Sequence, residues 1–443
     1  MKTSVRSFLA VGIITAAVVA RFAFAEKKPS DTDFVAHEWG TFTSVQGGDG
    51  VQFDWNPFVA PELPKFVYDI ARPAVAQAAP VIPGFIIAGK IGTTSRQRME
   101  TPVIYFYSGK ERTVDVDVQF KGGRITDWYP QLTNAEAQAA RLTMNAGLMS
   151  NAGRIHWSGV TLRPGADGAT LFPTDTAGSH YYAARETDAV PLRVRAADGT
   201  EQHEKFLFYR GVAGFDAPLR VMHSGDQANN VTLQNVAKQP LSALFVLSVR
   251  GDRAALVSTA NLHEGEYRQV EFDFDKLSRP LVEVRADIAA KMHAALVADG
   301  LYAREASAMV KTWDDSWFAE QGTRILYTLP QQWTDSVLPL TVTPAPKEVR
   351  RVFVGRAEMI TAGMEWALLR EVVHFAGGDE AAKAAAIKAV QAMGLGRFAA
   401  PALTRVMGNG PRAGEFQNAA LALMESFRPP APKSLASREK VSD

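Results

Sequence analysis

Histidines and carboxylates in aromatic surroundings are the residues of this chain that could do chemistry. A divalent metal ion takes nitrogen and oxygen ligands, and the candidate ligands are His37, Glu38 and His180. None of the eight histidines are spaced as His-x-His or His-x-x-x-His, and His-Glu-x-x-His is absent. A metal site would therefore have to be assembled from distant strands. The alternative is that His37 and His180 are half-buried strand residues bonded to backbone groups.

Acidic residues suggest a second chemistry, the hydrolysis of glycosidic bonds, which needs two carboxyl groups across a sugar. The candidate catalytic acids are Glu100, Glu186 and Asp314, each beside a Trp or Tyr or a short step from one. No spacing among them is diagnostic. Because the chain has 47 acidic residues, adjacency to aromatic residues is also expected by chance.

Aromatic side chains could form a platform for a ligand, because their faces stack on sugar rings and a nearby arginine can hold an acidic group. For Trp313 and Trp317, four residues apart, packing from one helical turn against the sheet is the preferred interpretation. Arg356 could equally tether the chain through a salt bridge with Glu358. The candidate platform residues are Trp39, Trp128, Tyr181, Trp313, Trp317 and Arg356.

Several function classes are excluded by what the sequence lacks. The chain has no cysteine, which rules out disulfides, a thiolate nucleophile, c-type haem attachment and cysteine-ligated iron–sulfur clusters. The serine-nucleophile pattern Gly-x-Ser-x-Gly is absent. The patterns Gly-x-Gly-x-x-Gly and Gly-x-x-x-x-Gly-Lys-[Ser/Thr] are also absent, so no nucleotide cofactor is supported. With 48 basic against 47 acidic residues and no basic run, a nucleic-acid partner is not expected. A divalent metal is the cofactor that remains open.

The N-terminus predicts export. A cationic start with Lys2 and Arg6 is followed by the apolar run 8–20 and by Ala-Phe-Ala at 23–25, which is the pattern of a signal peptide over residues 1–25. The run is shorter than the ~20 residues of a membrane-spanning helix. We therefore expect a periplasmic or secreted protein without a transmembrane span after cleavage. Arg21 in the cleavage region leaves an uncut anchor as the alternative.

Strand signals dominate residues 26–275, where Thr113–Phe120 alternates apolar and polar residues. A Pro- and Ala-rich irregular excursion at 57–95 interrupts this region, and 134–149 has a helix-forming composition. We predict an antiparallel, β-sandwich-like N-terminal region.

The period changes after residue 275. Residues 276–346 predict an α+β segment packed on the β region, with a helical apolar stripe at Leu281, Val284, Ile288, Met292 and Leu296. From Lys347 to 427 the composition predicts a small helical domain, with helices at 357–375, 379–393, 399–407 and 415–427. Residues 428–443 are proline-rich and polar, which predicts a disordered tail. The predicted fold class is α+β.

Five segments resemble an uncharacterised family of exported bacterial proteins. The opening block His-Glu-Trp-Gly-Thr-Phe-Thr-Ser-Val at 37–45 carries most of this resemblance, and the other segments are 99–107, 180–185, 206–211 and 312–318. The resemblance covers residues 34–365 and implies a bacterial, exported protein, with no activity to carry over. The segment 379–407 resembles one unit of the HEAT-type helical repeats.

Two functions are compatible with these observations. The first is a non-catalytic binding or scaffold protein of the cell envelope, with an envelope protein or a glycan as partner. The alternative is a metal-dependent or carboxylate-based hydrolase, possibly acting on a glycan. Convergence of five side chains beneath a cleft would favour the enzyme, and these are His37, Glu38, Glu100, His180 and Glu186.

Overall fold

A computed structural model of the chain describes residues 33–55, 63–69, 95–132, 153–166, 171–175, 179–223, 230–408 and 413–426. The predicted signal peptide 1–25, the predicted helix 134–149 and the predicted tail 428–443 lie outside these residues. So does most of the predicted excursion at 57–95.

The described residues form eighteen strands. In chain order these are β1 Phe34–Gly47, β2 Tyr68–Asp69, β3 Gln97–Ser108, β4 Arg112–Gln119, β5 Gly123–Tyr129, β6 Arg154–Leu162, β7 Leu192–Arg195, β8 Glu201–Glu204, β9 Leu207–Ala213, β10 Leu219–His223, β11 Asn230–Asn235, β12 Ser242–Arg250, β13 Arg253–Thr259, β14 Tyr267–Glu271, β15 Arg279–Pro280, β16 Gly322–Leu329, β17 Leu340–Thr343 and β18 Glu348–Ile360.

Helices concentrate in the C-terminal part of the chain, and none of those described is long and apolar enough to cross a membrane. The α-helices are α1 Phe274–Leu277, α2 Leu281–Ala298, α3 Ala303–Asp314, α4 Gln331–Val337, α5 Ala362–Gly377, α6 Glu380–Ala392, α7 Ala399–Gly408 and α8 Ala413–Glu425. Two 3₁₀ turns, His180–Arg185 and Gly396–Phe398, and a π-helical turn, Asp315–Ala319, complete the set. We call α5 to α8 the helical unit.

One large mixed sheet organises the fold, in the order β15-β13-β12-β16-β18-β1-β3-β9-β5-β2. Its central strands β1 and β18 pair in parallel, and its other neighbours are antiparallel. A five-stranded sheet, β17-β4-β6-β7-β8, shares a hydrophobic core with one face of it, and β10-β11-β14 form a third, small sheet. The predicted α+β class with a β-rich N-terminal region is confirmed.

Local sequence patterns explain the outer elements. The alternation in β4 buries Val114, Val116 and Val118 against the large sheet. The stripe of α2 buries Val284 and its partners at spacings of three and four against the opposite face. Both faces of β1 are therefore covered, and all of its residues are buried.

The prediction that the chain is helical from Lys347 onward is wrong for its first segment. Residues Glu348–Ile360 form β18, and α5 begins only at Ala362, where the side chain of Thr361 caps the backbone N–H of Met364 at 3.1 Å. Charged residues interrupt the apolar run of β18 and conceal its strand character. The strands β16 and β18 complete the sheet that contains β1, so the predicted boundaries at 276 and 347 cut through one sheet.

The helical unit packs on one end of the central strands. A separate hydrophobic cluster joins Val45 of β1 and Ile360 of β18 to residues of α5, α6 and α7, among them Leu368, Val390 and Leu403. The helical unit lies beside the ends of β1, β3 and β18, where several charged side chains also lie.

Candidate functional site

The predicted metal ligands His37 and Glu38 are neighbours in β1, and their side chains bind groups from different parts of the fold. Nδ1 of His37 lies 2.7 Å from Oε2 of Glu305 in α3. Glu38 instead accepts a 2.6 Å hydrogen bond from Nε of Arg351 in β18. Burial raises the pKa of Glu38 against the opposing effect of Arg351, and the carboxyl group is fully enclosed. Each of these two side chains is therefore paired with a buried charged residue of another element.

His180, the third predicted ligand, lies in the 3₁₀ turn His180–Arg185 and stacks on Trp313, with ring centroids 6.4 Å apart and planes at 12°. Within the described residues, no three His, Asp or Glu side chains come together as a metal site. The structure therefore does not assemble the metal set of His37, Glu38 and His180.

Two of the three predicted catalytic acids form ion pairs at the surface. Glu186 is paired with Lys311 of α3, and Asp314 accepts a 2.8 Å hydrogen bond from Nε of Arg285 in α2. These contacts connect α3 to the preceding turn and helix. They serve as surface tethers, and exposed pairs of this kind contribute at most about 1 kcal/mol.

The predicted aromatic platform is not a surface, because all six of its residues are buried. Trp313 and Trp317 stack on each other at 6.2 Å between centroids and pack between α2, α3 and the sheet, as the packing interpretation predicts. The residues so enclosed are Trp39, Trp128, Tyr181, Trp313, Trp317 and Arg356.

The fold also brings together Glu100, a predicted catalytic acid, and Arg356, a predicted platform residue. Their strands β3 and β18 flank β1 on either side, and Thr43 of β1 lies opposite Arg356 and Arg98 in the strand register. The Thr43 hydroxyl donates a 2.9 Å hydrogen bond to Oε2 of Glu100. Three adjacent central strands thus place charged side chains in one row at the edge of the helical unit.

Seven charged residues meet at this point, and we call them the ion cluster. Oε1 of Glu358 accepts hydrogen bonds from Nε of Arg356 at 2.6 Å and from Nε of Arg324 at 2.8 Å. Glu320 is paired with Arg356 through a further short contact. The cluster comprises Arg98, Glu100, Glu320, Arg324, Arg356, Glu358 and Arg397.

Arg324 has a structural role in the ion cluster. Its Nη1 donates to the backbone oxygen of Trp317 at 3.1 Å, and its Nη2 donates to those of Glu320 and Gln321 at 2.7 and 2.9 Å. With Nε bonded to Glu358, this guanidinium has each of its nitrogens engaged. Arg324 therefore fixes the chain after the π-helical turn and positions Glu320.

Glu100 is held in its ionised form by the cluster. Burial has the largest single effect and raises its pKa, but the charges of Arg397, Arg98 and Arg356 together outweigh burial and hold the pKa well below its usual range. The pKa of Glu320 is also lowered, because Arg356 and Arg397 outweigh the effect of its burial. Neither carboxylate holds a proton that it could give to a leaving group near neutral pH.

Two arginines of the ion cluster keep donors without a partner. Nη1 of Arg356 and both Nε and Nη2 of Arg397 are buried and form no hydrogen bond with the described residues. Their guanidinium carbons lie 5.4 and 4.9 Å from the ring centroid of Phe398, so both groups border the same ring. Among the described residues, this pair has both unused hydrogen-bond donors and positive charge.

Sequence reasoning identified Glu100 and Arg356 and considered a salt bridge with Glu358, which the structure contains. It missed Arg98, Glu320, Arg324 and Arg397. The signal available for Arg324 was a charge at the start of an apolar strand, Arg-Ile-Leu-Tyr-Thr-Leu at 324–329. Such a residue must find a partner when the strand is buried.

No family model matches the chain, and no curated protein matches it. Solved structures with a similar arrangement include the Fcho1 mu homology domain of Danio rerio with bound Eps15 peptide, at 8% identity and a TM-score of 0.27, over 75% of this chain and 98% of that one. The yeast delta-COP-I mu-homology domain complexed with a Dsl1 WxWxV peptide matches at 6% identity and a TM-score of 0.24, over 75% and 98%. At these TM-scores the likeness carries no argument about function.

Proposed function

We propose that this protein is a non-catalytic binding or scaffold protein of the bacterial cell envelope, exported by the leader at residues 1–25. One observation carries the proposal: each of the three predicted catalytic acids is neutralised by a basic partner of the chain itself. Glu100 contacts Arg98 and Arg397, Glu186 pairs with Lys311, and Asp314 pairs with Arg285. Carboxylates held in this way support structure better than proton transfer.

The alternative, a metal-dependent or carboxylate-based hydrolase acting on a glycan, has weaker support. Its metal ligands His37 and Glu38 bind separate buried partners, and His180 stacks on a tryptophan. Its aromatic platform is enclosed in the core. The binding proposal requires none of these residues to be accessible.

An apolar face of α5 supports binding of a protein partner. Trp366 is 68% exposed and Val373 is 42% exposed. They are seven positions apart in the sequence, which places them on the same side of the helix. Arg370 lies between them, with a side chain that is 64% exposed and bonded only to its neighbour Glu371 among the described residues. Exposed tryptophan and arginine are the residue types that most often dominate protein interfaces.

The chemistry of this face indicates the partner. A protein surface with an apolar pocket for the Trp366 ring and a carboxylate for Arg370 would satisfy both groups. A glycan partner would need acids or amides beside the tryptophan to bond its hydroxyl groups. On the side of α5 that carries Trp366 and Arg370, the following exposed position is the apolar Val373. An envelope protein is therefore the preferred occupant.

Site-specific photocrosslinking in the native host tests this proposal with the full chain. A photoreactive phenylalanine derivative is placed at Trp366, at Val373 and, as matched control, at Val282 of α2, which is 75% exposed. We expect one and the same envelope protein to be crosslinked at 366 and 373 and not at 282. The purified partner should then bind the full chain, and Trp366→Ala should weaken binding about 30-fold, which corresponds to about 2 kcal/mol.

Equal adducts at all three positions, or none at 366 and 373, would contradict binding through α5. Hydrolysis of an envelope glycan by the purified protein would favour the hydrolase instead. A crosslink to glycan rather than protein at 366 would retain the binding function and change the class of partner.

A further inference from the structure

We propose that Arg356 and Arg397 form a binding site for a small oxyanion, a phosphate-type or carboxylate group, at the junction between the helical unit and the large sheet. This site goes beyond the proposed function, because it lies in the ion cluster and uses no residue of the exposed α5 face.

The geometry places both guanidinium groups at one location. Arg356 extends from the central strand β18, and Arg397 extends from the 3₁₀ turn that precedes α7. Both lie against the ring of Phe398, at 5.4 and 4.9 Å from its centroid. Both also approach Glu320, Arg356 through a short contact and Arg397 through Nε at 4.0 Å. The ring and the carboxylate thus hold the two cations side by side.

Arginines outnumber glutamates within the ion cluster. It contains four arginines and three glutamates, and Glu100 and Glu320 are ionised as described above. Arginine does not deprotonate in proteins. A buried positive charge without a counterion is costly, because desolvation removes several kcal/mol of hydration free energy. An anion between Arg356 and Arg397 would give these two guanidinium groups a further counterion.

The unpartnered donors give the site its chemistry. Nη1 of Arg356, which is fully buried, and Nε and Nη2 of Arg397 have no acceptor among the described residues. Buried polar atoms in native proteins are almost always bonded. The Nε and Nη2 atoms of one guanidinium form the fork that binds two oxygens of a carboxylate or phosphate. Arg397 has this fork free of hydrogen bonds, while its Nη1 is bonded to Glu100.

The junction borders solvent. The side chains of Glu320 and Arg397 are 40% and 17% exposed, whereas those of Arg356 and Glu100 are enclosed. Buried water could also satisfy the donors, but it carries no charge and would give no saturable phosphate binding, so the two occupants differ in a measurable way.

Equilibrium dialysis of the full chain against radiolabelled inorganic phosphate, with sodium chloride holding ionic strength constant, tests the proposal. Acetate and sulfate compete in separate arms to distinguish carboxylate from tetrahedral oxyanions. We expect saturable binding near one per chain and a saturable rise in Tm over the same concentration range. Arg397→Gln should lower the affinity at least tenfold and abolish that rise.

Arg405→Gln is the matched control. Arg405 lies in the same helical unit, rests on the ring of Phe53 at 5.4 Å and pairs with Asp49 and Glu365, but it is not a member of the ion cluster. This variant should bind phosphate as the native chain does. Arg397→Lys keeps the positive charge and loses the fork of two donors. This variant should fold and should bind phosphate at least tenfold more weakly. It therefore tests the site even if Arg397→Gln does not fold.

Absence of saturable phosphate or acetate binding to the native chain would overturn the site and leave buried water as the occupant. Equal loss of binding in Arg405→Gln and Arg397→Gln would also overturn it, because the ion would then depend on the fold of the helical unit and not on the two arginines.

Discussion

Arg397 of the helical unit donates a 2.6 Å hydrogen bond from Nη1 to Oε1 of Glu100 in β3, and 297 residues separate the two in sequence. The contact lies beside the hydrophobic cluster that joins β1 and β18 to α5, α6 and α7. The helical unit is thus joined to the sheet by apolar packing and by a buried ion pair. An ion pair of this kind is directional, so it fixes where the unit sits on the sheet.

Glu100→Gln should strongly destabilise the fold. The substitution keeps the shape of the side chain and removes its charge, which leaves Arg98 and Arg397 without the carboxylate that pairs with them. Removing one partner of a buried ion pair costs about 3–5 kcal/mol. Urea denaturation of the full chain measures the change in the free energy of unfolding.

Asp49→Asn is the matched control for this substitution, because Asp49 pairs with Arg405 of the same helical unit but its side chain is largely exposed. The expected cost is below about 1 kcal/mol. Equal costs for the two variants would contradict a special role for the ion cluster.

The pH dependence of stability should carry the signature of Glu100. Its pKa lies below the ordinary value of 4.5, because Arg397, Arg98 and Arg356 outweigh the raising effect of burial. A carboxyl group with a lowered pKa stabilises the fold above its unfolded pKa and loses this contribution as the pH falls through the folded value. The stability difference between the native chain and Glu100→Gln should therefore be constant near neutral pH and shrink below pH ~4.5.

Denaturation at several pH values measures this difference. Its slope should approach, and not exceed, about 1.4 kcal/mol per pH unit, the limit for one proton. A difference that grows as the pH falls would contradict the sign of the shift.

Gly355→Ala should disrupt the centre of the sheet. Gly355 of β18 lies opposite Tyr327 of β16, and a methyl group at Gly355 would overlap the Tyr327 ring. The ring is buried and has no room to move, so overpacking of about 1–3 kcal/mol is expected. Thermal and urea denaturation measure the loss.

Gly377→Ala is the matched control, since a methyl group there meets nothing within 4 Å. In the last turn of α5 this change should be neutral or stabilise by up to about 1 kcal/mol. A larger cost at Gly377 than at Gly355 would mean that glycine itself, and not the contact with Tyr327, determines the outcome.

Local patterns predicted the elements whose pattern is regular. The alternation of β4 and the stripe of α2 each reflect a single buried face, which the order of apolar residues specifies directly. The observed helix Glu380–Ala392 lies close to the predicted 379–393 for the same reason. The strand β18 escaped prediction because Arg351, Arg356 and Glu358 interrupt its apolar run, although all three are buried.

The ion cluster could not be predicted as a unit, because its members are brought together by pairing between distant strands. The parallel pairing of β1 with β18 brings Thr43 opposite Arg356, and nothing local in either strand specifies that partner. Residue type alone identified Glu100 and Arg356 as candidates. Their shared location depends on the sheet order β18-β1-β3, which is a property of the whole chain.

Trp366→Ala and Trp317→Ala should separate binding from folding. Trp366 is exposed on α5, so its loss should change the free energy of unfolding by less than about 0.5 kcal/mol. Trp317 is fully buried against Trp313 and Phe318, and its truncation should cost about 3–5 kcal/mol. Urea denaturation compares the two variants.

The binding function predicts the reverse order for partner affinity at a temperature where both variants are folded. Trp366→Ala should weaken binding more than Trp317→Ala, because only Trp366 would contact the partner. A destabilisation of 2 kcal/mol or more by Trp366→Ala would mean that this ring is packed in the full chain, and α5 would lose its role as the docking face.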